Sequence, residues 1–106
     1  MSETGPDIEE QLKLARAQMY EGRFEAALGL TKTALRNDAE NIDALYMKAV
    51  CERYLGHADA ALASVDLLKT LSPDFGRAHQ EEGHIFKAQG DFESAMIAYR
   101  RACQCN

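Results

Sequence analysis

The chain has no tryptophan, only two prolines, three cysteines and three histidines, and the last two scarcities each remove a class of function. An odd number of cysteines, behind an amino terminus lacking the basic and apolar segments of a secretion signal, does not make a disulfide framework. Cys51 falls inside a helical pattern and reads as a small buried apolar residue. Cys103 and Cys105 are two positions apart, so a helix turns them ~200° away from each other and denies both to one metal ion. His79 and His84 lie ~140° apart around a helix and do not share the face a zinc-binding pair needs, and His57 reads as a solvated turn residue. The adjacent carboxylates Glu9 and Glu10, and Glu81 and Glu82, point ~100° apart rather than across a cleft, and read as solvated faces. No Gly-rich phosphate loop, nucleophile elbow or cysteine cluster occurs, so no catalytic, cofactor-binding or metal-binding residues are expected, and no enzyme activity.

Positive charge is also short. Twelve Lys and Arg against seventeen Asp and Glu leave a formal charge of −5, whose average field repels phosphates and anionic lipids, so neither nucleic acid nor membrane is an expected partner. No uncharged apolar run approaches the ~18 residues that cross a bilayer. Residues 1–7 read as an acidic leader, and a cytoplasmic location is expected. Strand signals are missing too, because no Val- or Ile-rich alternating run appears. What remains is 46% hydrophobic and 27% charged, a balance too apolar for a disordered tail and right for one folded domain.

Within that domain the sequence repeats. Gly22-Arg23-Phe24-Glu25-Ala26-Ala27, Gly56-His57-Ala58-Asp59-Ala60-Ala61 and Gly90-Asp91-Phe92-Glu93-Ser94-Ala95 follow one another at an interval of 34 residues. In the same register Ala15, Ala49 and Gly83 share one position, and Ala34, Leu68 and Ala102 another. Apolar residues recur at helical spacing on both sides of each glycine, predicting helices near 8–21, 24–37, 42–55, 58–71, 76–89 and 92–105. Gly22, Gly56 and Gly90 suit the left-handed residue that closes a helix. Asn41, Asp74 and Asp91 are placed to cap the helices that follow, Pro6 suits a first helical turn, and Pro73 separates two units. In the last helix Phe92, Ala95, Met96, Tyr99 and Cys103 predict a buried stripe.

These residues resemble the tetratricopeptide repeat (TPR) family, whose units are 34-residue helix–turn–helix pairs. The third unit matches through Gly83, Phe86, Gly90, Phe92, Ala95, Tyr99 and Ala102, the second through Leu45, Ala49, Gly56, Ala61 and Pro73, and the first through Leu14, Ala15, Gly22, Phe24, Ala27 and Ala34. The departures are Gln11, Gln18 and Ala39 in the first unit and Glu52 in the second. The resemblance implies an all-α, right-handed solenoid of three helix–turn–helix pairs over residues 8–41, 42–75 and 76–106, working as a protein–protein interaction module or scaffold.

It also implies a groove lined by the first helix of each pair. Carried over position by position, the groove takes Leu12, Arg16, Met19 and Tyr20 from the first unit, with Glu9 and Lys13 beside them. The second gives Tyr46, Met47, Val50, Arg53 and Tyr54 with Asp43, and the third Arg77, Gln80, His84 and Lys87 with Glu81 and Ala88. Tyrosine, methionine and arginine suit a peptide or loop with apolar anchors and some acidic character. The same tyrosines can instead pack between helices, and the cations can pair with Glu9, Asp43 and Glu81. The carboxylate clamp of chaperone-binding TPR domains is not expected, because its positions read Leu12, Arg16, Met47, Arg77 and Glu81.

Two alternatives accompany the scaffold reading. The third unit stops at Asn106, before the family's proline and a capping helix, which predicts a truncated module whose Met96, Tyr99 and Cys103 pair with further chain or form a homodimer. The run from Arg77 to His84 with Tyr99-Arg100-Arg101-Ala102-Cys103 resembles bacterial TPR proteins that continue into a sulfotransferase-like domain.

Overall fold

The structure, a computed structural model, describes residues 7–105. The acidic leader up to Pro6, with the proline's proposed place in a helical turn, and Asn106 lie outside the described residues. Six helices follow in order: α1 (Ile8–Tyr20), α2 (Phe24–Asn37), α3 (Ile42–Tyr54), α4 (Ala58–Leu71), α5 (Gly76–Ala88) and α6 (Phe92–Gln104). Each lies within one or two residues of the span that apolar periodicity predicts, and no strand occurs among the described residues. None of the helices is long and apolar enough to cross a membrane.

Each pair closes through the same turn. Gly22, Gly56 and Gly90 take φ of +78°, +82° and +82°, which a side chain would strain. The Arg23 N–H then donates to the Gln18 carbonyl at 2.8 Å and the Gly22 N–H to Met19 at 3.0 Å, the double bond of a Schellman motif. His57 to Glu52 and Gly56 to Arg53 repeat it, as do Asp91 to Phe86 and Gly90 to Lys87. The helix starts are less uniform. Asn41 accepts the Ala44 N–H at 2.9 Å and Asp91 the Ser94 N–H at 3.1 Å, as their positions predict. Asp74 does not cap α5, because it lies two residues before Gly76, where the helix begins, and the cap position is taken by Phe75, which offers no side-chain bond. Asp7 caps α1 by accepting from Glu9 and Glu10.

Three small apolar clusters hold the pairs together. Leu12, Ala15, Ala27, Leu28, Ala44, Met47 and Cys51 join the first pair to α3. Ala49, Ala61, Val65 and Ile85 tie α3 and α4 to α5, and Leu45, Leu68 and Ala78 do the same further along. The repeated small positions explain the close approach: Ala15, Ala49 and Ala34 are fully buried, and the Tyr99 ring lies directly over Gly83. Leu68 fills its slot as a large core side chain.

Two expectations change. Glu81 and Glu82 are not solvated: both are buried, Glu81 receiving the Arg53 guanidinium from α3 and Glu82 the Lys69 ammonium from α4. Glu52, where the family has an aromatic, is buried as well, accepting from Lys48 Nζ and Ser64 Oγ, both at 2.8 Å. Nor is the α6 stripe buried as drawn. Ala95 and Ala98 face α5 with Tyr99 and Ala102 partly covered, whereas Phe92 and Met96 are 63% and 56% exposed and Cys103 is exposed. The inward face is centred on the alanines because only small side chains let α6 lie close against α5.

Candidate peptide-binding groove

The first helices of the three pairs lie side by side, α1 against α3 and α3 against α5. A cavity of about 320 Å³ opens on the face they form. Met47 and Val50, buried from below by core contacts, make its apolar floor together with Met19. Phe24 and Tyr54 make a wall: their rings stack at 4.3 Å with only 3° between planes, fixing the end of α3 to the start of α2. The Arg53 guanidinium covers the Tyr54 ring at 4.6 Å. Across the opening stand Tyr20, 87% exposed, and Tyr46, whose ring meets Phe75 edge-on at 5.9 Å. Burial, with Glu81 nearby, raises the Tyr46 pKa, so its hydroxyl stays a neutral donor at ordinary pH. Arg16, Asp43 and Arg77 set the charges around the opening.

A second cavity of about 440 Å³ lies between α5 and α6, lined by Phe75, Gly76, Arg77, Gln80, Tyr99, Ala102 and Cys103. Arg77 belongs to both, with its guanidinium 5.9 Å from the centre of the Tyr46 ring.

Of the groove positions named from sequence, Arg16, Met19, Tyr20, Tyr46, Met47, Val50, Tyr54 and Arg77 meet at the first cavity, and Gln80 lines the second. Leu12 does not reach the face: it is buried in the core between α1, α2 and α3. Arg53 lines neither cavity, because Glu81 accepts from its Nε and, at 3.3 Å, from Nη2. His84 turns to α6, its Nδ1 2.7 Å from the Tyr99 hydroxyl, and desolvation lowers its pKa. Lys87 is exposed beyond both cavities. The groove positions miss Phe24 in the first cavity and Phe75, Gly76, Tyr99, Ala102 and Cys103 in the second: Phe24 opens a second helix, Phe75 precedes α5, Gly76 begins it, and the other three belong to α6. The signal for Phe24 is its place directly after the closing glycine turn.

The proposed self-association residues divide. Met96 and Cys103 are exposed, but Tyr99 is half-buried over Gly83 and tied to His84, and Phe92 and Ile97 accompany Met96 on the open surface. All three cysteines are free, and burial pushes the Cys51 thiol up to about 11. Among the described residues no three His, Cys, Asp or Glu side chains gather as a metal site would need.

Residues 76–105, the α5–α6 pair, match the tetratricopeptide repeat family. The chain is similar to DnaJ homolog subfamily C member 3 of Mus musculus and of Homo sapiens, at 27% identity over 100 residues in each case. Those matches cover 94% of this chain and 20% of the relative, so the chain spans about a fifth of the length of the curated relatives it matches. Among solved structures, the type III secretion translocator chaperone SycD of Yersinia enterocolitica superposes with a TM-score of 0.89 at 17% identity, covering 96% of this chain and 77% of that one. The second TPR of Spaghetti (RPAP3), bound to HSP90 peptide SRMEEVD, gives 0.84 at 13% identity over 93% and 92% of the two chains. MamA gives 0.82 at 19%, over 93% and 57%. The fold is an all-α tetratricopeptide-repeat solenoid of three helix pairs.

Proposed function

We propose that this tetratricopeptide-repeat solenoid is a protein-interaction module that holds an extended peptide or loop of a partner on the face formed by α1, α3 and α5. The observation that carries this reading is the cavity over Met47 and Val50, walled by the Phe24–Tyr54 stack. Its volume of about 320 Å³ accommodates one large side chain, and stacked aromatics hold their shape while methionines adapt. Anchors of this kind supply most of the energy of peptide recognition. The fold-mate from Spaghetti is bound to a peptide and SycD is a chaperone, which gives the reading precedent on this architecture.

The test is a selection of unstructured peptides from a display library on the intact chain, with counter-selection on Tyr54→Ala. Peptides that survive should shift the amide resonances of Tyr46, Met47 and Val50 and lose affinity for the variant. Binders that shift only α6 resonances, or none surviving counter-selection, would sink the groove reading.

A second reading, self-association through α6, is favoured by the exposure of Phe92, Met96 and Ile97. Light scattering over a concentration series decides it. A doubling of the 11.8 kDa mass that Met96→Glu abolishes supports the dimer, and a constant monomer mass removes it.

A further inference from the structure

We infer that the groove selects segments in which an acidic residue separates two large apolar ones: an apolar anchor in the first cavity, a carboxylate on Arg77, and a second anchor between α5 and α6. The inference rests on the groove reading above and gives it a ligand chemistry.

Arg77 is the reason. It is exposed in the first turn of α5 and lines both cavities, so it stands between two apolar depressions that no other described side chain shares. Beyond its place 5.9 Å from the centre of the Tyr46 ring it has no charge partner, for among the described residues no carboxylate lies within ion-pair distance of it. The other cations near the core are occupied: Arg53 by Glu81, Lys48 by Glu52 and Lys69 by Glu82. Arg16, across the first cavity, is likewise without an ion-pair partner among the described residues. Among the described residues Asp43 is the one carboxylate that lines either cavity. On a protein of net charge −5 the two cavities therefore present two available arginines against one aspartate, a local reversal of sign.

Screening confines the repulsion of the remaining surface to about 8 Å at physiological salt, so the local sign governs a docked segment. A guanidinium offers a planar fork that fits a carboxylate with two parallel hydrogen bonds. The apolar demand comes from both sides of it. Met19, Met47 and Val50 floor one cavity, and Phe75, Tyr99 and Ala102 line the other. A uniformly acidic segment leaves both depressions unfilled, and a uniformly apolar one buries Arg77 without a partner, which is costly.

The experiment uses the whole chain and blocked dodecapeptides of Gly and Ser carrying two leucines with one glutamate between them, the leucines two, four or six residues apart. Matched sets replace the glutamate by glutamine or lysine. Affinities come from fluorescence anisotropy and binding sites from amide shifts at Val50, which lines the first cavity only, and Ala102, which lines the second only. At the best spacing the glutamate peptide should bind at least ~10-fold tighter than its glutamine twin, with lysine weaker still, and should shift both residues. Arg77→Gln should make the glutamate and glutamine peptides equal, and Arg77→Glu should favour lysine; both substitutions are at an exposed position, and the first retains a neutral side chain should the second fold poorly. Equal binding of glutamate and glutamine peptides to the unaltered chain, with shifts at Val50, overturns the acidic spacer and leaves the groove standing. If no set shifts Val50, the groove reading falls with it.

Discussion

Gly83 and Gly29 are both helical glycines, yet alanine should act on them in opposite directions. A Cβ on Gly83 would lie 2.5 Å from the Tyr99 ring, which is held from its other end by the hydroxyl's bond to His84. Overpacking of that kind costs about 1–3 kcal/mol, more than the ~1 kcal/mol that alanine gains in helix propensity. At Gly29 nothing lies within 4 Å, so only the gain of about 0.5–1 kcal/mol remains. Thermal unfolding checks both: Gly83→Ala should lower Tm and Gly29→Ala raise it, at ~4–8 °C per kcal/mol for a domain of this size. His84 supplies a second residue-scale prediction. Desolvation holds its pKa below the usual value despite Glu81, with Arg53 and Lys87 acting in the same direction as burial. The unfolded chain therefore takes up a proton before the folded one, and stability present above pH ~6.5 is lost as pH falls below it, through the lowered pKa of the folded chain. His84→Gln should flatten that decline in Tm, and an unchanged slope would place its origin elsewhere. The buried state of Glu81, Glu82 and Glu52 was not legible in the sequence, because Glu81 and Glu82 depend on cations 28 and 13 positions away, and Glu52, one helical turn from Lys48, is buried against Ser64 of α4, neighbours that only the packing of helices brings together.

At the scale of elements, the repeat position shared by Arg23, His57 and Asp91 begins α2, α4 and α6 with nearly the same backbone, φ of −93°, −95° and −92°. Only Asp91 uses it, accepting the Ser94 N–H, and the Ser94 side chain together with that N–H lowers its carboxyl pKa. His57→Asn should create the missing bond to the Ala60 N–H and stabilise the chain by about 1 kcal/mol, raising Tm. Asparagine is preferable to aspartate because Asp59 already brings negative charge to that helix start. No change in Tm would mean that the small backbone differences matter more than the side chain. Helix spans were the most legible feature of the sequence, since apolar period and glycine turns give the same boundaries. The α6 stripe was not, because Phe92 and Met96 fit the period as well as Ala95 and Ala98, and periodicity does not say which of two overlapping faces meets α5. The repeat register placed Arg16, Met19, Tyr20, Tyr46, Met47, Val50, Tyr54, Arg77 and Gln80 on the cavities, but it does not tell them from Leu12, Arg53, His84 and Lys87, which core packing, an ion pair, the Tyr99 hydroxyl and distance keep off both linings; Phe24 and Phe75 come from elsewhere in the repeat.

Across the whole molecule the two junctions between pairs differ. α2 packs on α3 more extensively than α4 on α5, and the first junction is an apolar cluster of Leu28, Ala44, Met47 and Cys51. The second combines smaller clusters with the Arg53–Glu81 and Lys69–Glu82 pairs. Solenoids open locally at their weaker interfaces. Lys69→Met strands the Glu82 carboxylate; breaking a buried pair costs about 3–5 kcal/mol, and the partial exposure of Lys69 places this one at or below the lower end. Hydrogen exchange should then quicken in α5 and α6 while α1 and α2 keep their protection. Uniform quickening would show that the three pairs open together. Adding Glu82→Leu to Lys69→Met should restore most of the protection, since no charge is left buried.

The uneven junctions give the molecule a direction under load. Stretched between its two ends in an optical trap, it should yield first where α5 meets α3 and α4, releasing about 100 Å of slack as Gly76–Gln104 extends. The remaining four helices should hold to a higher force. A tether pulling on this chain would thus dismantle the second cavity while the one over Met47 and Val50 still stood, so that the two cavities are lost at different loads.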